Sequence, residues 1–139
     1  MTLQPEPFGD MIPFRISELN QIKINISVGS PPQMVEVVAD TGSDFTWVQT
    51  EHNSPGQKSL VFHPNKSTSW SKDNGSTAIS YLDSRNCSVQ NGHDIISIGN
   101  TNVRLRLGVG SGNGCEDFNI GILGLSKGSE FLNALAETV

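Results

Sequence analysis

Positive charge is scarce in this chain. Nine Lys and Arg stand against 14 Asp and Glu over 139 residues, a formal net charge of -5. The nine are scattered, so no basic face exists to neutralise phosphates, and nucleic acid is excluded as a partner. Cysteine is also scarce. Cys87 and Cys115 are the two present. They form no C-x-x-C pair and have no nearby His cluster, which excludes a zinc site. Aromatic residues make up 6% of the chain and hydrophobic residues 35%, both low. No apolar run approaches the length of a membrane span, so a membrane is not expected as a partner. No signal peptide is visible, although the mature start of a processed secreted protein reads the same way.

Ser, Thr, Asn, Val and Ile are plentiful, while helix formers are few. With 14 glycines and 7 prolines, this composition predicts short strands joined by turns. The length suits one domain with a modest core. Four N-x-[ST] sequons, at Asn25, Asn65, Asn74 and Asn86, point mildly to secretion and glycosylation. Asn25 falls within an expected strand and is the least suited to carry a glycan. In an oxidising compartment a Cys87–Cys115 disulfide would close a loop of about 28 residues and stabilise by roughly 3–4 kcal/mol in the chain-entropy model. Two buried free thiols are the alternative.

Residues 1–19 read as a lead-in arm with one strand around Ile12–Ile16. Residues 20–139 read as one unit without internal repeats. Ile22-x-Ile24-x-Ile26-x-Val28 alternates strictly, the pattern of a half-buried strand. Gly29-Ser30-Pro31-Pro32 predicts a turn, followed by strands over Met34–Ala39 and Phe45–Gln49. His52–Asn74 is polar and is expected to be mostly loop. Ala78–Tyr81 and Asp94–Ile98 are expected to flank a long polar turn, Asp83–Gly92. Val103–Leu107 alternates again, Gly108–Gly114 reads as a flexible connection, and Ile120–Leu125 as a buried strand. Ser129 should cap a short helix with Phe131, Leu132, Leu135 and Val139 on one face.

Val37-Val38-Ala39-Asp40-Thr41-Gly42-Ser43, with Trp47 following, carries the chemistry. It presents a carboxylate at the end of an apolar strand. Gly42 permits a tight turn beside it, and Thr41 and Ser43 offer hydroxyls to orient it. A carboxylate that activates water normally works as one of two sharing a proton, because two close like charges cannot both ionise. The chain resembles the N-terminal lobe of the pepsin-like aspartic endopeptidases from about residue 20 to 139. Asp40-Thr41-Gly42-Ser43 is similar to the family's catalytic signature, and Trp47 to the tryptophan after it. Upstream, Ile24-x-Ile26-x-Val28-Gly29-Ser30-Pro31-Pro32-Gln33 resembles the approach to the site. Phe62-x-Pro64, Ser67-x-Ser69 and Gly121-Ile122-Leu123-Gly124-Leu125 resemble later family segments. Ile79-Ser80-Tyr81 resembles the strand entering the flap, and Asp94-Ile95-Ile96-x-Ile98-Gly99 the strand leaving it.

The resemblance implies an all-β fold, one lobe of the pepsin-like type with a short C-terminal helix. It also implies peptide-bond hydrolysis with Asp40 catalytic and Thr41, Gly42 and Ser43 shaping its loop. Tyr81 would be the flap tyrosine, able to hydrogen-bond Trp47 over an extended peptide or protein substrate. No metal or organic cofactor is implied, and a secreted or vacuolar-lumen location is. The family uses two aspartates, whereas Asp40 heads the only Asp-Thr-Gly or Asp-Ser-Gly triplet here. A missing C-terminal lobe, a second chain or a homodimer mate could supply the other. Leu82–Cys87 stands where the family's flap usually carries glycines, Ile120 replaces a usual acidic residue, and the family's short disulfide loop after Trp47 is missing. A non-catalytic peptide-binding or assembly module on the same fold is therefore the alternative.

Gly124-Leu125-Ser126-Lys127-Gly128 matches G-x-S-x-G, but no His follows Ser126 to complete a hydrolase triad, so it reads as a turn. Gly108–Gly114 lacks the glycine spacing of a phosphate loop. His52, His63 and His93 read as solvated surface residues. Asp83, Asp94 and Asp117 lack the hydroxyl-and-glycine setting of Asp40.

Overall fold

The computed structural model describes residues 12, 14–16, 21–50, 60–80, 86–110 and 120–137. Eight strands form one sheet: β1 (Phe14–Ile16), β2 (Ile22–Val28), β3 (Gln33–Asp40), β4 (Trp47–Val48), β5 (Ser71–Ser80), β6 (Asn86–Ile98), β7 (Thr101–Gly110) and β8 (Gly121–Gly124). Their order is β1-β2-β3-β8-β4-β7-β6-β5, and a further pairing of β2 with β6 curls the sheet back on itself. One 3-10 turn, Pro64–Lys66, and one helix, α1 (Glu130–Ala136), complete the described elements. The all-β expectation holds.

The alternation read in the sequence sets the core. Ile24, Ile26 and Val28 of β2 face Val35 and Val37 of β3, and all five are buried. Val103, Leu105 and Leu107 of β7, with Phe62, Ile96, Leu123 and Phe131, join them in one cluster. The 29–32 turn is present, with Gly29 at φ +89° and a cis Ser30–Pro31 bond. A positive φ suits glycine, which has no Cβ to clash. Ser129 caps α1 as expected, its Oγ accepting from Leu132 N at 3.1 Å. Phe131 is buried beneath the helix, with Leu132 and Leu135 half-buried beside it. Val139 lies outside the described residues.

Several boundaries differ from those expected. β5 begins at Ser71, inside the segment read as loop. β6 begins at Asn86, inside the segment read as a polar turn, so the two strands pair from Ser80↔Asn86 to Ser71↔His93. The cause is position. β6 lies between β5 and β7, so even its polar residues have ladder partners. Cys87, Val89 and Asn91 alternate inward, and Asn91 Oδ1 accepts from Thr77 Oγ1 at 2.8 Å. β7 likewise runs through Gly108 to Gly110, buried from Leu107 onward, because β4 pairs with it there. The strand expected over Phe45–Gln49 shortens to Trp47–Val48.

Candidate active site

β3 ends at Asp40 because the chain must leave the sheet there, and β8 fixes where it leaves. The two strands run parallel in the register Val37↔Gly121 to Asp40↔Gly124. Leu125 N donates to Asp40 O at 2.9 Å. β8 also meets β4 antiparallel, Trp47↔Ile122, so it is held on both sides of the loop from 41 to 46. Gly124 allows this closeness. A Cβ there would stand 2.8 Å from Ser43 O and 2.9 Å from Phe45 O. Buried Thr46 completes the weld, its Oγ1 accepting from Gly124 N at 3.0 Å.

Within this frame the Asp40 carboxylate takes two hydrogen bonds. Gly42 N donates to Oδ1 at 2.9 Å, and Ser43 Oγ donates to Oδ2 at 2.5 Å. Both donors fix its orientation. Thr41 is exposed beside them. Trp47 is buried, 1% exposed, in a second cluster with Cys87, Val89 and Ile122, against which Phe45 and Ile79 pack.

Asp40 opens onto a cleft of about 630 Å³, a size typical of ligand sites. One wall is the loop after β3, with Asp40, Gly42, Ser43 and Asp44. Another is the end of β5, Thr77 to Ser80. Phe45, Trp47, Ile79 and Ile122 supply its apolar surface. β5 therefore brings Ile79 and Ser80, of the segment read as entering the flap, to the cleft of Asp40, 39 and 40 positions away in sequence. Tyr81 itself, like Cys115, Asp83, Asp117 and His52, lies outside the described residues, and so does the expected Tyr81–Trp47 hydrogen bond.

Ser126 of the G-x-S-x-G match has no histidine partner among the described residues. Its Oγ donates to the Asp44 carboxylate, which makes the segment a brace for the loop. His63 is exposed, and its backbone exchanges hydrogen bonds with Gln33 at 2.8 and 2.9 Å. His93 Nδ1 lies 3.2 Å from Asp73 Oδ1. Asp94 lies outside the cleft, fully buried among Ser67, Ser69 and its own strand. Among the described residues no group of three or more His, Cys, Asp or Glu could hold a metal, and no helix is long and apolar enough to cross a membrane.

Sequence reasoning passed over Asp44, Phe45, Thr46 and Arg106. Arg106 of β7 reaches Glu130 at 2.8 Å and stands over the Phe45 ring. Its hydrogen bond to Glu130 raises the guanidinium pKa above the ordinary value. Desolvation opposes this, while the charges of Glu130 and Asp73 add to it. Arg106 is therefore a permanent cation. The signal in the sequence was faint: an arginine at an exposed position of an alternating strand.

The comparisons with known proteins agree with the geometry. A profile of the eukaryotic aspartyl protease family matches residues 21–134. An acid protease of Saccharomycopsis fibuligera is 33% identical over 109 residues, covering 76% of this chain and 26% of that protein. Cathepsin E of Cavia porcellus is 43% identical over 58 residues, covering 40% of this chain and 15% of that protein. An aspartic proteinase of Arabidopsis thaliana is 34% identical over 50 residues, 36% of this chain and 11% of that protein. The chain thus spans about a quarter or less of the length of the curated relatives it matches. The match over most of the chain, with the Asp40 loop and its cleft inside it, means that the chain belongs to the eukaryotic aspartyl protease family.

Proposed function

We propose that this chain supplies one half of an aspartic endopeptidase site, with Asp40 as one carboxylate of the catalytic dyad. The observation that carries this is the Asp40 carboxylate itself, held by Gly42 N and Ser43 Oγ at the mouth of the cleft. The second carboxylate comes from a further lobe, a second chain or a homodimer mate. Ser43, with Thr41 exposed beside it, orients the carboxylate, and Gly42 shapes the loop. An extended peptide lies along the cleft as an added strand, gripped through its backbone and through side-chain pockets. Tyr81, with Trp47, closes the flap over it. One carboxyl takes a proton from water while its protonated mate hydrogen-bonds the scissile carbonyl. No metal or cofactor enters the reaction.

A secreted or vacuolar-lumen location fits the exposed Asn65 and Asn74 sequons, and in such an oxidising compartment Cys87 and Cys115 would pair as a disulfide. The test is proteolysis by the chain together with its complementary half. Activity should peak at acidic pH, where one proton is shared, and Asp40→Ala should lower kcat by several orders of magnitude with folding unchanged. Peptide binding that persists without any hydrolysis at any pH would instead support the non-catalytic binding module. Hydrolysis that survives Asp40→Ala would remove Asp40 from the dyad.

A further inference from the structure

Phe45 borders the cleft beside Asp40, yet what holds its ring lies outside the cleft. The Arg106 guanidinium stands 5.4 Å from the ring centroid, within the range at which a cation is attracted to an aromatic face. Arg106 is held in turn. Its Nη2 and Nε donate to Glu130 Oε1 at 2.8 and 3.1 Å, a two-point grip that fixes the guanidinium plane. Glu130 sits in the first turn of α1, and its N donates to Asp44 O at 3.2 Å. Helix, strand and loop are thereby closed into one ring of contacts. Gly108 of β7 leaves space for the aromatic ring, since a Cβ there would approach Phe45 Cε2 to 2.9 Å. Neither Arg106 nor Glu130 lines the cleft.

The Arg106–Glu130 pair is half-exposed, with side chains 43% and 35% accessible. Such pairs contribute little to global stability. A residue that stabilises little but fixes one wall of a cleft acts on recognition. We propose that Arg106 is a positioning residue for substrate selectivity. Stacked on Phe45, it fixes the width of the apolar pocket formed by Phe45, Trp47, Ile79 and Ile122, and so favours an aromatic side chain of an extended peptide over a small one. This rests on the peptidase reading, because it supposes a peptide in the cleft.

The experiment uses the full chain and two hexapeptides identical except for Phe or Ala at one position. Their affinities are measured by NMR titration. The wild type should prefer the Phe peptide. Arg106→Gln should lower that preference roughly two- to fivefold, the size of an exposed cation–aromatic contact. It should shift the Phe45 ring signals of the free protein and leave the unfolding midpoint almost unchanged. Arg106→Lys, which keeps the cation, should retain part of the preference. If Arg106→Gln weakens both peptides equally, or weakens neither, the positioning role is overturned while the peptidase reading stands. A wild type that by itself binds neither peptide overturns the pocket proposed here, while the peptidase reading, which seats the substrate between two halves, stands; an unshifted Phe45 ring in Arg106→Gln would by itself sink the clamp.

Discussion

Asp94 carries a carboxylate into the interior, fully buried, and every described contact of its oxygens is a donor. Ser67 Oγ donates at 2.8 Å, Ser69 Oγ at 2.6 Å and Ile95 N at 2.7 Å. Ser67 Oγ also accepts from Ser30 N at 3.1 Å, and Gly29 N donates to Ile95 O at 2.9 Å. The carboxylate therefore fastens the β2–β3 turn and the 67–69 segment to β6. A buried charge is tolerated only when its hydrogen bonds are complete. Asp94→Ala leaves the half-buried Ser67 and Ser69 hydroxyls short of an acceptor and should destabilise the fold by about 2 kcal/mol, read from the denaturation midpoint. A loss under about 1 kcal/mol would mean that water replaces the carboxylate. At this scale the sequence is only partly legible. Asp40 announces itself through Thr41, Gly42 and Ser43, which lie beside it in the chain. Asp94 meets Ser67 and Ser69 only after folding, so no local pattern marks it.

Elements were legible where one face is buried and the other is wet. β2 has the predicted bounds because Ile22 to Val28 alternates without interruption. β5 and β6 start earlier than composition suggests because β6 has a partner on both sides and β5, at the sheet edge, pairs with it from Ser71 to Ser80, which composition does not record. The 41–46 loop and β8 form the element pair that matters most for the site. Gly124 is where they press together. Gly124→Ala forces a methyl against the carbonyl oxygens of Ser43 and Phe45. Overpacking of this kind costs about 1–3 kcal/mol. It should also shift the Gly42 amide signal, since that N–H bonds to Asp40. Gly128 provides the control. Nothing lies within 4 Å of a Cβ there, so Gly128→Ala should leave both the stability and the Gly42 signal nearly unchanged. Equal effects of the two substitutions would refute the close-contact explanation.

At the scale of the molecule, the sheet is held together by a strand that arrives last. β8 follows β3 by some 80 residues yet sits between β3 and β4. Without it the sheet divides into β1-β2-β3 and β4-β7-β6-β5, joined by the short β2–β6 ladder at Ser27↔Ser97 and Val28↔Ile96. Residues 120–137 also bury Ile120, Ile122, Leu123 and Phe131. At about 2 kcal/mol for each side chain, their removal withdraws ~8 kcal/mol, comparable with the ~5–15 kcal/mol net stability of an ordinary domain. A chain ending at residue 119 should therefore not hold its native fold. Its amide NMR spectrum should collapse to the narrow dispersion of an unfolded chain. A synthetic peptide of residues 120–137, added in trans, should restore the dispersion and with it the Gly42–Asp40 hydrogen bond. If the shortened chain keeps native dispersion without the peptide, β3 and β4 do not depend on β8, and the Asp40 loop draws its geometry from β3 alone.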